Sequence, residues 1–226
     1  VRALDAAMPR AHDDTRRIGG TTLEPVRRRS IPVKTDRTGA AYVLIPSPPH
    51  AASRAPFLIM HTPVTNAMWR AAVAAGACSA PHTVRAYDDP ARAHHPVVHI
   101  TRAQARQYAA WVGGRLPRDA EWTWAAQGDD GRMYPWGDQP PDATRANHGM
   151  NVGDTTPVGS YPAGASPYGV LDMAGNVWEW VDDGQYAVRG GAFSTDADDV
   201  VCDSVCEGDE DYDDFNVGLR VVSSGM

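Results

Sequence analysis

From Ala40 onward the chain alternates short apolar runs with stretches of helical period, and regular structure is predicted mainly for its first half. Ala41-Tyr-Val-Leu-Ile45 and Phe57-Leu-Ile-Met60 read as two strands separated by a Pro-rich turn. A helix follows. Thr65 stands as its N-cap, Val64 and Trp69 occupy the two positions of a hydrophobic staple, and Gly76 stops it; Trp69, Val73 and small alanines form a narrow apolar face. A second helix starts at Thr101-Arg-Ala-Gln104, which has capping-box spacing, and runs to Gly113-Gly114 with Ala105, Tyr108, Ala109 and Val112 on one face. A third, short helix follows Pro117 and carries Glu121, Trp122 and Trp124 to about Gln127. After Gly128 the text is almost entirely turns rich in Gly, Pro, Asn and Asp. So long a coil inside a domain signals a functional surface or an ion holding it together.

With 226 residues the chain holds one good core and has no room for a second full domain. Its seven Trp all lie between Trp69 and Trp180, which places the core there. Residues 1–38, with Arg27, Arg28 and Arg29 in a row and no apolar period, read as a tail or linker; residues 39–226 read as the domain. The three cysteines, Cys78, Cys202 and Cys206, cannot build a disulfide framework, and a reducing, cytoplasmic setting is expected. No apolar run is long enough to span a bilayer, and no signal peptide is evident at the start.

Charge changes the picture. Of the net −7, residues 192–217 contribute eight Asp and two Glu with no Lys or Arg, leaving the remainder net positive. Nucleic acid is excluded as a partner for such a surface, because phosphate contacts need cations. A basic partner suits it.

Several motifs stand in a fixed order: Pro63-Val-Thr-Asn66, His95-Pro-Val97, Gly114-Arg-Leu-Pro117, Ala120-Glu-Trp122, Tyr134-Pro-Trp-Gly-Asp138, Asp172-Met-Ala-Gly-Asn-Val-Trp-Glu-Trp180, Arg189-Gly-Gly191 and Gly218-Leu-Arg220. Together they resemble the formylglycine-generating enzyme and sulfatase-modifying-factor family over roughly residues 40–222. The resemblance implies an α+β, C-type-lectin-like fold with few helices, a small twisted antiparallel sheet and much ordered coil. It also implies structural calcium, with Asp172, Gly175, Val177 and Glu179 as ligands and Asn147 contributing to a second site. Oxygen-rich donors around a Gly turn suit a hard cation. The alternative is that Asp172 and Glu179 only cap turns.

In the oxygen-dependent enzymes of this family two cysteines bind catalytic copper. The resemblance places Thr195 and Val200 at those positions, where neither supplies a thiolate. Catalytic copper is therefore not expected and the chain is expected not to be an enzyme. The family's iron-dependent sulfoxide synthases need an additional helical domain for which the N-terminal tail is too short.

Between Arg189-Gly-Gly191 and Gly218-Leu-Arg220 the length is that of non-catalytic family members, while the side chains follow no period. This resembles the variable proteins of diversity-generating retroelements, whose mutated Asn codons reach every residue of 193–217 except Glu207 and Glu210. The expected ligand-contacting set is Phe193, Ser194, Thr195, Asp196, Asp198, Asp199, Cys202, Asp203, Cys206, Gly208, Asp211, Tyr212, Asp213, Asp214, Phe215 and Asn216. Tyr212 and Phe215 are the expected anchors, and the ligand is a protein or other macromolecule of basic character. Phe193 could instead pack inward, and Cys202 and Cys206 could form a local disulfide. A copper-dependent oxidase and a structural domain fused to another activity stay open as alternatives, and oligomeric state is not specified.

Overall fold

In the computed structural model, residues 34–48, 55–182, 188–207 and 212–223 are described. Among the described residues, nine short strands form two sheets, with four α-helices against them. The first sheet has the order β1-β2-β3-β9-β4, from Lys34–Thr35, Ala41–Ile45, Phe57–Met60, Val222–Ser223 and Gly114–Arg115, and every pairing in it is antiparallel. The two strands read from the sequence are thus β2 and β3. β1 falls within the stretch expected to be tail, and the earlier part of that stretch, residues 1–33, lies outside the described residues.

Both faces of this sheet are covered, which explains why β2 and β3 read as continuous apolar runs rather than alternating ones. Tyr42, Leu58, Met60 and Val221 turn to one side, where they meet Trp69 and Ala72 of α1 (Asn66–Ala74) and Ala105, Tyr108 and Ala109 of α3 (Arg102–Trp111). Val43, Ile45, Ile59 and Val222 turn to the other, against Trp122, Ala125 and Ala126 of α4 (Asp119–Gln127). Period-2 alternation along the strands sends successive side chains into two separate cores.

The helix ends follow local chemistry. The Thr101 hydroxyl accepts from Gln104 N at 3.2 Å while the Gln104 side chain accepts from Thr101 N at 2.9 Å, the expected reciprocal box. Thr65 caps α1 by accepting from Met68 N, and Trp69 stacks on Tyr108 at 5.3 Å, tying α1 to α3. A fourth helix, α2 (Arg85–Asp88), has a single turn and no apolar period that would have announced it.

From Gly128 to Val177 there is no strand or α-helix, only turns, a bridge between Tyr134 and Gly137 and the short 3-10 helix Pro162–Gly164, in agreement with the expected coil. The second sheet follows in the order β7-β6-β5-β8, from Val205–Cys206, Val188–Arg189, Trp178–Trp180 and Val217–Gly218. β5 and β8 run parallel, so the antiparallel description holds for the first sheet and only part of the second. Among the described residues no helix is long and apolar enough to cross a membrane.

Candidate functional site

The frame of the site is a buried ion pair. Glu179 lies on β5 and Arg220 between β8 and β9, at 1% and 0% exposure. The guanidinium donates from Nε to Oε2 and from Nη2 to Oε1, both at 2.6 Å, and Trp122 Nε1 donates to Oε2 at 2.7 Å. Arg220 also donates to the carbonyls of Met60, Leu171 and Asp172. One side chain thereby joins β3 of the first sheet, the 171–172 turn and β5 of the second. Two parallel N–H···O bonds fix orientation as well as charge.

Next to this pair, Asp172 adopts a left-handed backbone (φ 55°) and its carboxylate accepts from Gly159 N at 2.6 Å. Burial, opposed by that bond and by Arg220 and reinforced by the Glu179 charge, pushes its carboxyl up to about 6. Gly175 (φ 75°) lies against Asn147, whose carbonyl would stand 2.3 Å from an added Cβ, so only glycine fits there. Asn176 N donates to that same carbonyl at 2.8 Å. Asn147 Nδ2 donates to Asp154 O, while its buried Oδ1 has no partner.

The expected calcium ligands fit such an ion only in part. Asp172 and the unpartnered Asn147 Oδ1 are suitable hard donors. Glu179 is not free for the role expected of it, because both its oxygens are engaged by Arg220 and one also by Trp122. Among the described residues no group of three or more His, Cys, Asp or Glu is placed to hold a metal ion. The family's copper positions do not fit a thiolate-bound metal: the Thr195 hydroxyl accepts from Ala192 N, and Val200 is wholly buried beside Tyr134 and Ala174.

The segment after Arg189-Gly-Gly191 starts from this frame. Arg189 is fixed by Asp119 at 2.6 Å, and Gly190 (φ 97°) runs so close to the Trp122 ring that an added Cβ would meet it at 2.8 Å. Phe193 N donates to Asn176 O; the Phe193 and Thr195 carbonyls accept from Met150 N and Gly149 N. At the far end Trp178 N donates to Asn216 O, and Asn216 Nδ2 donates to Ser194 Oγ at 3.0 Å. Both ends of the segment are therefore anchored by backbone bonds, independently of side-chain identity.

The side chains divide clearly. Asp196, Asp198, Asp199, Asp203, Cys206, Tyr212 and Phe215 are exposed; Ser194, Thr195, Asp213, Asp214 and Asn216 are half-buried. Asp213 meets His82 Nδ1 at 3.1 Å, and Asp214 accepts from Tyr212 Oη at 2.8 Å. Two expected contacts need correction. Cys202 is wholly buried in the core with Trp122 and Val43, because its N–H bonds the Met133 carbonyl and turns the side chain inward. Phe193 is 3% exposed and packs edge-on against Phe215 at 5.7 Å. All three cysteines are free thiols, so Cys202 and Cys206 are not paired. Gly208 and Asp211 lie outside the described residues.

A feature absent from the expected set is a cleft of about 490 Å³ in which Phe193 and Phe215 face Val98, Met150, Asp154 and Arg92. Its walls come from segments far apart in sequence. The available signal was the pair Met150 and Val152, two apolar residues inside a Gly- and Asn-rich turn.

Comparison with known proteins corrects one further expectation. Hercynine oxygenase from Mycolicibacterium thermoresistibile is 38% identical over 164 residues, covering 59% of this chain and 37% of the relative. Formylglycine-generating enzyme from Mycobacterium tuberculosis is 43% identical over 119 residues, covering 46% and 39%. These relatives bear the names of enzymes, which overturns the expectation that the chain lies outside enzymatic proteins. That expectation rested on a missing thiolate pair, which speaks against one copper site and not against other chemistry on the same frame, and on a tail taken as too short for the additional helical domain of the iron-dependent members. The chain spans well under half the length of both relatives. Among solved structures, Treponema denticola variable protein 1 superposes with a TM-score of 0.58 at 20% identity, covering 76% of this chain and 85% of that one, a likeness of fold. The ordered motifs, the lectin-like arrangement and the match of residues 19–224 to the sulfatase-modifying factor enzyme 1-like domain agree, and the chain belongs to that family.

Proposed function

We propose that this domain binds a macromolecular ligand on the face built by residues 193–217, and that the side chains of this face are exchanged by retroelement mutagenesis at adenines. The observation that carries the reading is the division just described: both ends of the segment are held by backbone bonds while seven of its expected contact residues are exposed. Such a surface can change its chemistry while the fold stays intact. The likeness of fold to a variable protein supports the same reading.

Ten acidic residues without a cation in residues 192–217 favour a basic ligand. Replacing Asp196, Asp198 and Asp199 by Asn is expected to weaken binding to a basic protein by about tenfold at low salt, with the difference shrinking at high salt. Unchanged binding would remove the electrostatic part of the reading. In the genome, the proposal requires a reverse transcriptase gene nearby and a template repeat that differs from codons 193–217 mainly at adenines. A neighbourhood without such a repeat refutes the mutagenesis.

A calcium ion held by Asp172 and carbonyls of the Gly175 and Val177 turn is part of the proposed frame, with Asn147 contributing to a second site. Millimolar calcium is expected to raise the melting temperature relative to chelator, and identical melting in both would remove the ion.

The names of the relatives favour a second reading, in which the same face holds the substrate of an oxidation. It predicts oxygen uptake in the presence of hercynine or a cysteine-bearing peptide. A chain that binds its ligand without consuming oxygen leaves only the first reading.

A further inference from the structure

Large apolar side chains are seldom left in water as a group, and a contiguous set of them marks an interaction site. Among the described residues, six are exposed: Val84, Met133, Met150, Val152, Tyr212 and Phe215. Met150 and Phe215 line the 490 Å³ cleft, while Val84 and Val152 are chain neighbours of its lining residues Thr83, Arg85 and Gly153. Two of the six thus line one cleft and two more flank its lining residues in the chain, at exposures of 42% to 57%.

The backbone around the cleft is unusual as well. His99 (φ 58°) and Met150 (φ 59°) both line it, and they are two of only four described non-glycine residues with a left-handed backbone. Such conformations persist where surrounding bonds enforce them. His99 N donates to Asp214 O and its carbonyl accepts from His82 N, while Met150 N donates to Phe193 O. The cleft is consequently held from both sides by bonds to residues of the 193–217 segment, and of its two lining arginines, Arg85 and Arg92, the latter is paired with Asp154 at 2.5 Å.

We infer that this cleft is a socket for one bulky apolar side chain of a protein partner, presented on a segment whose Lys or Arg residues lie along the neighbouring acidic face. The socket is lined largely by residues outside 193–217, its apolar ones there being Ala86, Pro96, Val98 and Met150, with Val84 and Val152 next to lining residues in the chain. It therefore stays constant whatever is exchanged within that segment. An invariant apolar anchor combined with exchangeable charged contacts follows the usual anatomy of an interface, with a buried centre and a polar rim. The basic character of the partner rests on the ligand-binding reading above, and the apolar anchor does not.

Short fluorescein-labelled peptides titrated against the full chain by fluorescence anisotropy separate the two. One set carries a single Phe, Trp or Leu flanked by lysines; in two counterparts Glu replaces the lysines, or Ser replaces the apolar residue. The apolar, lysine-bearing peptides are expected to bind at least about tenfold tighter than either counterpart. M150S and V84S are expected to reduce that affinity about tenfold, with melting temperatures unchanged, and R85A, which removes a cation from the rim, to increase it. Absence of binding up to about 1 mM, equal binding of the Ser counterparts, or affinity unaffected by M150S and V84S overturns the socket. If affinity survives M150S and V84S but is lost on D196N/D198N/D199N, the acidic face stands and the socket alone falls. Sedimentation showing self-association that M150S abolishes would assign the cleft to a second copy of the chain and likewise overturn the inference.

Discussion

Arg220→Ala is expected to destabilise the domain by about 3 to 5 kcal/mol, a large fraction of the roughly 5 to 15 kcal/mol that holds a domain together. Removing the guanidinium leaves the Glu179 carboxyl without its ion-pair partner at 1% exposure and takes donors from the Met60, Leu171 and Asp172 carbonyls. The cost arises from these orphaned groups more than from any net value of the pair, since a buried ion pair gains little over an apolar replacement of similar shape. Glu179→Gln tests this from the other side: it leaves the Arg220 guanidinium without a counter-charge at 0% exposure and sets an amide donor against one of its N–H groups, so it should cost about as much although one oxygen remains for Trp122 Nε1. Urea denaturation measures both. A loss below about 1 kcal/mol for Arg220→Ala would show that the clasp between the sheets is not what holds them.

Trp122→Ala should cost about as much, again 3 to 5 kcal/mol, for a different physical reason. The ring is wholly buried between β2, β3 and α4, and its removal leaves a cavity while stripping Glu179 of one donor. Trp122→Phe separates the two effects by keeping most of the apolar volume and losing only the indole N–H, at about 1 to 3 kcal/mol. Because Gly190 passes directly over the ring, Trp122→Ala should also loosen the start of the 193–217 segment. Faster amide exchange at Phe193 and Thr195 than at the remote Ala105 and Tyr108 would register this, and uniform acceleration would argue against a local coupling.

These two sites also mark what could be read from the sequence. Capping at Thr101 and Gln104, the strands Ala41–Ile45 and Phe57–Met60 and the helix through Trp122 are encoded within a few residues, so local pattern is sufficient. β5 to β9 are two or three residues long, and their pairing depends on partners far along the chain, as Trp178 with Val217 illustrates. No periodicity fits into such strands. Motif order supplied the family and the fold, while the pairing of Glu179 with Arg220 across 41 positions became visible only in three dimensions.

At the site, the two ends of the segment and its exposed acids were legible from charge and spacing. Burial was legible for Phe193 only as an alternative and for Cys202 not at all, since the latter is followed directly by the exposed Asp203 while its own side chain is wholly buried. The cleft drew on residues from 66 to 215 and had no local signature beyond Met150 and Val152. The expectation about enzymatic character failed for another reason, because it converted the absence of two thiolates and the shortness of the N-terminal tail into a statement about all chemistry.

The central claim, a frame that stays folded while its surface changes, is tested most directly by the unfolding free energy of a chain in which Asp196, Asp198, Asp199, Asp203, Tyr212 and Phe215 are all replaced at once by other residues reachable from an Asn codon. The frame described here predicts a cooperative transition within about 2 kcal/mol of the parent, since exposed substitutions each contribute only tenths of a kcal/mol. A loss above about 5 kcal/mol, or a transition that is no longer cooperative, would place these side chains in the core and contradict the account.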